Sequence, residues 1–157
     1  MLLFLSTFIN KIDKKGRVSV PAQFRAVLRV EEFQGIVAYP SFINQCIEAA
    51  GMTRMEKITD IIEDLDPFSE EKDAFATAIL GDSHQLSFDG EGRIILPEIL
   101  MKNCGLTDKA LFIGKGKNFE IWNPDQFESY SKQAKDFALK QRNKLTLKGR
   151  NDSEQKK

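Results

Sequence analysis

The sequence predicts an α+β fold in which one structural unit is used twice. The stretch DKKGRVSVP at positions 13–21 returns as DGEGRIILP at 89–97, so that Asp13, Gly16, Arg17 and Pro21 recur as Asp89, Gly92, Arg93 and Pro97. Short runs of β-branched and aromatic residues, bounded by glycine and proline, follow each copy. Helical periodicity appears between the copies and after the second.

In chain order, residues 4–12 form a first strand and Arg17–Val20 a second, joined by Asp13-Lys14-Lys15-Gly16. Aspartate starts such turns by accepting local backbone N–H bonds, and glycine supplies a positive φ at low cost. Pro21 stops the strand and opens a short helix with Phe24, Val27 and Leu28 on its apolar face. GIVAY at 35–39 and Cys46–Ala49 are further strands. Thr53 with Glu56 three residues on predicts a capping box, and Met52, Met55, Ile58, Ile61, Ile62 and Leu65 lie at helical spacing until Asp66-Pro67. Ser69 caps another helix, with Phe75, Ala78 and Ile79 facing inward until Gly81.

The second unit repeats this order. Leu86 and Phe88 precede the turn Asp89-Gly90-Glu91-Gly92, Arg93–Leu96 is a strand, and Pro97 opens a helix carrying Ile99 and Leu100. Strands at 110–114 and 119–122 flank a Gly-Lys-Gly turn, and Asn123-Pro124-Asp125-Gln126 starts a helix whose apolar face is Phe127, Tyr130, Ala134 and Phe137. IEAAGMTRM at 47–55 aligns with FEIWNPDQF at 119–127, which extends the repeat through strand and helix start. The organisation is a first unit at 1–52, a helical linker at 53–80, a second unit with its C-terminal helix at 81–140, and a disordered basic tail at 141–157. The stripes at 52–65 and 127–137 serve as intramolecular core first and as subunit contacts second.

Composition excludes several classes. With 41% hydrophobic and 29% charged residues the chain reads as an ordinary globular protein, and units of about 75 residues are small enough to need each other or further copies. His84, Cys46 and Cys104 stand at no metal-ligand spacing, so no metal and no cofactor are expected, and nothing calls for disulfides, which makes a reducing cytoplasm the expected compartment. The apolar opening MLLFLSTFI lacks a basic leader and is interrupted by Asn10-Lys11, so it predicts neither export nor a membrane span. No nucleophile with a base and no phosphate loop accompanies the two motifs, so no catalytic residue and no small-molecule substrate are expected.

The net charge of zero conceals a strong asymmetry. Residues 11–30 hold Lys11, Lys14, Lys15, Arg17, Arg25 and Arg29 against Asp13 alone, residues 56–73 are strongly acidic, and the stretch from Lys140 onward is basic. Such a distribution suits local attraction to phosphate together with defined self-assembly.

The paired DxxGRxxxP units, the strand and helix after each, and the helical linker resemble the MraZ family of bacterial transcriptional regulators. A single unit also occurs in AbrB-like proteins and antitoxins; two copies 76 residues apart, in a resemblance spanning roughly 1–140, are more specific. The resemblance implies two tandem AbrB-like swapped-hairpin β-barrel halves with flanking short helices, a ring of many subunits, and a cytoplasmic, nucleoid-associated role. It implies control of the cell-division and cell-wall gene cluster through repeated G-rich boxes in double-stranded DNA.

Within that frame Arg17 is the candidate base reader, because an arginine fork can bond guanine O6 and N7 together. Lys14 and Lys15 suit phosphates, Gly16 lets the turn approach DNA, and Asp13 shapes the turn or orients Arg17. The family's DxxxR motif maps onto Asp13 and Arg17. A competing reading makes Asp-Gly-Arg only a stable turn with a surface ion pair. Arg93 and Asp89 are secondary candidates: Gly90-Glu91 replaces the two lysines, which favours a fold or subunit-contact role for Arg93. The alternative function is a protein-interaction module of antitoxin-like type using the acidic helices, which are most simply a solvated face.

Overall fold

The structure, a computed structural model, describes residues 2–147. The described residues fall into two compact units divided after Pro124. The first holds both repeats.

Repeat one supplies β1 (Thr7–Lys11), β2 (Arg17–Ser19), α1 (Ala22–Leu28), β3 (Gly35–Pro40) and β4 (Ile47–Ala50). Next come α2 (Met52–Glu63) and α3 (Glu70–Phe75), the latter continued by a π-helical turn at Ala76–Leu80. Repeat two supplies β5 (His84–Ser87), β6 (Arg93–Ile95), α4 (Glu98–Asn103), β7 (Lys109–Gly114) and β8 (Phe119–Trp122), and α5 (Pro124–Lys140) follows. The predicted elements are therefore present in order, and the fold is α+β.

The repeats are interleaved. The larger sheet runs β1-β7-β8-β4-β3-β5, antiparallel throughout, so the first strand of each repeat lies on the β-hairpin of the other. A separate two-stranded ribbon pairs β2 with β6. Both arrangements obey one internal twofold relation: Val18 sits opposite Ile94 at the ribbon centre, and Glu48 opposite Glu120 between β4 and β8. The swap is present, but the expected barrel halves do not each close. All six strands share one open sheet with β1 and β5 at its edges, because each repeat gives its first strand away.

The sheet carries a different layer on each face. One face, with Ile36, Ala38, Ile47, Ala49, Phe112, Phe119 and Ile121, meets Val18, Ile94, Phe24 of α1 and Leu100 of α4 in the main core. Phe24 is its aromatic hub, with ring centroids 5.3 Å from Phe4, 5.5 Å from Phe8 and 4.9 Å from Phe119, in the edge-on and tilted arrangements that ring quadrupoles favour. On the other face Val37 and Tyr39 pack with Met52, Met55, Ile58 and Ile79.

Glu48 and Glu120 lie on that second face. Like charges directly across a strand pair destabilise it. Here Lys115 Nζ lies 2.9 Å from Glu120 Oε1, and the Trp122 indole N–H donates to the same oxygen at 2.9 Å. Burial, with the neighbouring Glu120 charge, raises the Glu48 carboxyl above its ordinary range, and burial pushes the Tyr39 phenol up to about 12. Cys46 and Cys104 are buried free thiols, also shifted upward by burial.

Several sequence expectations are corrected by tertiary contacts. Thr53 and Glu56 form no capping box: Gly51 is the N-cap, and Glu31, 22 residues back, accepts from the Thr53 amide at 2.7 Å and its hydroxyl at 2.9 Å. A long-range carboxylate thus replaces the local cap. Ser69 does cap α3, accepting from the Lys72 amide at 3.2 Å. Phe75 points outward, its ring 6.0 Å from that of Phe42, and Ile99 and Ile61 are exposed. In α5 the striped face is not buried: Phe127, Tyr130 and Ala134 are half-buried and Phe137 is exposed. Of the tail predicted for 141–157, residues 148–157 lie outside the described residues, and Arg142–Lys144 makes one 3₁₀ turn. Among the described residues, no helix is long and apolar enough to cross a membrane.

Truncating the hub should be costly where truncating an exposed helical side chain is not. Phe24→Ala is expected to lower unfolding free energy by about 3–5 kcal/mol, against less than about 0.5 kcal/mol for Ile99→Ala. Urea denaturation of both variants measures the difference.

Candidate nucleic-acid interface

The two repeated motifs become two turns of the same construction. In the first, Asp13 Oδ1 accepts from the amides of Lys15 and Arg17, each at 2.9 Å, while Oδ2 accepts from Arg17 Nε at 2.7 Å. The Gly16 amide closes the turn on the Asp13 carbonyl at 3.0 Å. In the second, Asp89 Oδ1 accepts from Glu91 and Arg93 at 2.9 Å and Oδ2 from Arg93 Nε at 2.8 Å. Gly16 and Gly92 have φ of 83° and 76°, values a side chain rarely tolerates.

Each aspartate therefore satisfies two backbone donors and holds one guanidinium. Backbone donation from Arg17 and Arg93 respectively is the chief reason both carboxyls sit below their ordinary range. Arg93 is shifted upward, first by its bond to Asp89, with smaller contributions from Glu91 and Asp13. An arginine held through Nε still carries N–H donors on both terminal nitrogens, the donors that paired hydrogen bonding uses. The surface ion pair of the competing reading is thus present in both turns, and it orients each arginine as well.

Hydrogen bonds across the repeats join the two turns into one surface. The Leu96 amide donates to the Gly16 carbonyl at 2.9 Å, and the Val20 amide to that of Gly92 at 3.2 Å. Because side chains alternate along a strand, burial of Val18 and Ile94 sends Arg17, Ser19, Arg93 and Ile95 to the opposite, outward face. The candidates Asp13, Lys14, Lys15, Gly16 and Arg17 therefore adjoin Asp89 and Arg93.

Equal geometry carries unequal charge. Lys14 and Lys15 are exposed at the first turn, whereas Glu91 Oε2 approaches Arg93 Nε to 3.7 Å at the second. Arg25 of α1 partly offsets this: its Nη1 donates to the Val20 carbonyl at 2.7 Å and its guanidinium lies over Gly92. Sequence reading counted Arg25 only in the basic cluster, since its contact depends on the cross-repeat pairing. Ile95 was missed likewise, because nothing within either motif says which strand faces it, whereas Ser19, on the same strand as Arg17, follows from strand alternation.

The fold and this surface define a protein of tandem, interleaved swapped hairpins with two aspartate-braced arginine turns on one β-ribbon. A family model described as "MraZ protein, putative antitoxin-like" matches residues 79–148. The protein named transcriptional regulator MraZ from Rickettsia akari is 54% identical over 151 residues, covering 96% of this chain and 100% of the relative. That from Rickettsia bellii is 57% identical over 152 residues, with the same coverage. The chain belongs to the MraZ family of transcriptional regulators.

Two outcomes follow from the turn geometry. A Cβ on Gly16 would meet the Leu96 carbonyl oxygen at 3.1 Å in a left-handed conformation, while one on Gly90 meets nothing within 4 Å. Gly16→Ala should cost about 1–3 kcal/mol and Gly90→Ala close to nothing, measured by chemical denaturation. For pH, a carboxyl lowered on folding contributes stability above its unfolded value, 3.8, and loses it as pH falls through the folded value. The stability gap between the wild type and Asp89→Asn should be constant from pH 8 to pH 5 and close below about pH 3.8, in urea titrations across that range.

Proposed function

We infer that this chain is a sequence-specific regulator that binds double-stranded DNA through the β2–β6 ribbon, with Arg17 reading guanine and Lys14 and Lys15 engaging phosphates. The observation that carries the reading is the Arg17 guanidinium, fixed through Nε by Asp13 on an outward ribbon face beside the turn that carries the exposed Lys14 and Lys15. A two-stranded ribbon fits the major groove, and a forked contact to guanine there discriminates bases by about 1–3 kcal/mol. Gly16 brings the backbone close, and Asp13 positions Arg17 without facing the anionic backbone itself. Asp89 and Arg93 form the weaker half, because Glu91 draws on the Arg93 charge.

The wider reading is a ring-shaped homo-oligomer on repeated G-rich promoter boxes, controlling the division and cell-wall gene cluster in the cytoplasm at the nucleoid. Its support is the family membership together with exposed apolar side chains, Leu2, Leu3, Leu5, Ile61 and Phe68 among them, of the kind that self-assembly covers. Several copies of one turn on consecutive boxes would multiply modest contacts through effective concentration. A second reading, an antitoxin-like protein-interaction module, draws on the wording of the matching family description. Pull-down without DNA set against promoter binding separates the two.

Arg17→Ala should weaken specific binding by about tenfold or more, with the assembly intact; Arg93→Ala should affect DNA less and stability or assembly more. Gel-shift and sizing measurements on both variants test this, and unchanged affinity in Arg17→Ala overturns the site. Affinity should also fall steeply between low and moderate salt as condensed counterions are released.

A further inference from the structure

The internal twofold relation makes the ribbon its own control. Arg17 and Arg93 are equivalent and identical; Ser19 and Ile95 are equivalent and different. Arg17 pairs with Ile95, and Ser19 with Arg93, all four on the outward face. Ile95 is 61% exposed, and its Cγ2 lies 3.8 Å from where a Cβ on Gly16 would stand. The space over Gly92 is held instead by the Arg25 guanidinium, whose Nη1 lies 2.5 Å from the corresponding Cβ position. The first turn therefore has an aliphatic group beside its arginine, and the second has another cation.

We propose that Ile95 is a specificity-determining residue that selects thymine next to the guanine contacted by Arg17, by packing against the thymine 5-methyl group. The proposal rests on the DNA-reading role of the ribbon. The thymine methyl is the apolar group that base pairs present in the major groove, and a β-branched side chain gains nothing from a phosphate or a guanine edge. A serine at this position, as at Ser19, would supply a hydroxyl compatible with either base pair. Turn one then reads a guanine–thymine step, and turn two reads guanine alone or only phosphate.

The test takes a duplex selected by the full chain from a random-sequence pool and replaces each thymine singly by deoxyuridine, which lacks only the methyl. The wild type should lose affinity on the order of fourfold at a thymine adjacent to an essential guanine, the worth of one buried methyl group. Ile95→Ser should bind both duplexes equally, and Ile95→Val should keep the preference. All three proteins should melt alike, since the side chain is exposed.

Equal wild-type affinity for both duplexes overturns the proposal. A loss that is the same in wild type and Ile95→Ser also overturns it, because the methyl would then act through DNA shape. In either case, continued dependence on Arg17 and on guanine N7, probed with 7-deazaguanine, leaves the DNA-reading role standing. If instead the pool yields no preferred sequence, that role itself falls.

Discussion

The register between β2 and β6 is the constraint on which the rest of the molecule depends. Val18 and Ile94 face each other at its centre and are each 1% exposed, which stabilises the ribbon by about 1.5–3 kcal/mol per side chain. A slip of one residue would turn both into solvent and drive Arg17 and Arg93 into the core. Burial of two aliphatic side chains thus decides where two cations stand. The same pairing ties turn to turn, since the carbonyls of Gly16 and Gly92 each accept an amide from the other repeat. Neither repeat completes a sheet alone, and the interleaving meets the small-unit problem by giving both one core.

How much of this was legible in the sequence follows from the range of each interaction. The turns were legible because their chemistry is local: Asp13 to Arg17 is four residues, and the motif itself contains every donor and acceptor except the cross-repeat amides. Ser69 and Pro124 marked helix starts for the same reason. The Thr53–Glu56 pattern misled because Glu31 brings two oxygens to Thr53 from outside the helix. Phe75, Ile99 and Phe137 have the spacing of buried residues, yet spacing says only that a face is apolar, not that an element lies against it. For the site, Arg17 and its lysines could be found within one motif. Arg25 and Ile95 join it only through contacts with the other repeat, and no local pattern encodes that, whereas Ser19 shares β2 with Arg17 and follows from strand alternation.

The two repeats share one backbone geometry and differ in charge. The two turns agree in each of the hydrogen bonds made by their aspartates, within 0.1 Å for the arginine Nε bond. They differ at the two residues after the aspartate, Lys14-Lys15 against Gly90-Glu91, which carry no such duty in their side chains. Only the amide of the second is used by the turn, so the side chains there were free to take either sign. On the far face of the sheet the repeats meet again at Glu48 and Glu120, where Lys115 and the Trp122 indole offset the repulsion. The acidic contact is turned away from the arginine ribbon, because Ile47, Ala49, Phe119 and Ile121 on the same strands face the core beneath it.

A neutral chain gains little indiscriminate affinity for nucleic acid, so any selectivity must come from a few well-placed contacts. Preorganisation makes such contacts effective. Ordering a free arginine at the moment of binding would forfeit much of the energy its hydrogen bonds return. Here folding has already ordered it, because the carboxylate that brackets the turn also brackets the guanidinium. Under the proposed DNA-reading role, recognition depends on the integrity of the turn: a change that loosens Gly16 or Asp13 disturbs Arg17 even though neither needs to touch DNA. In the proposed oligomer, several identical turns acting together would tolerate a weak individual contact, and identical copies of one chain would supply them with no new sequence.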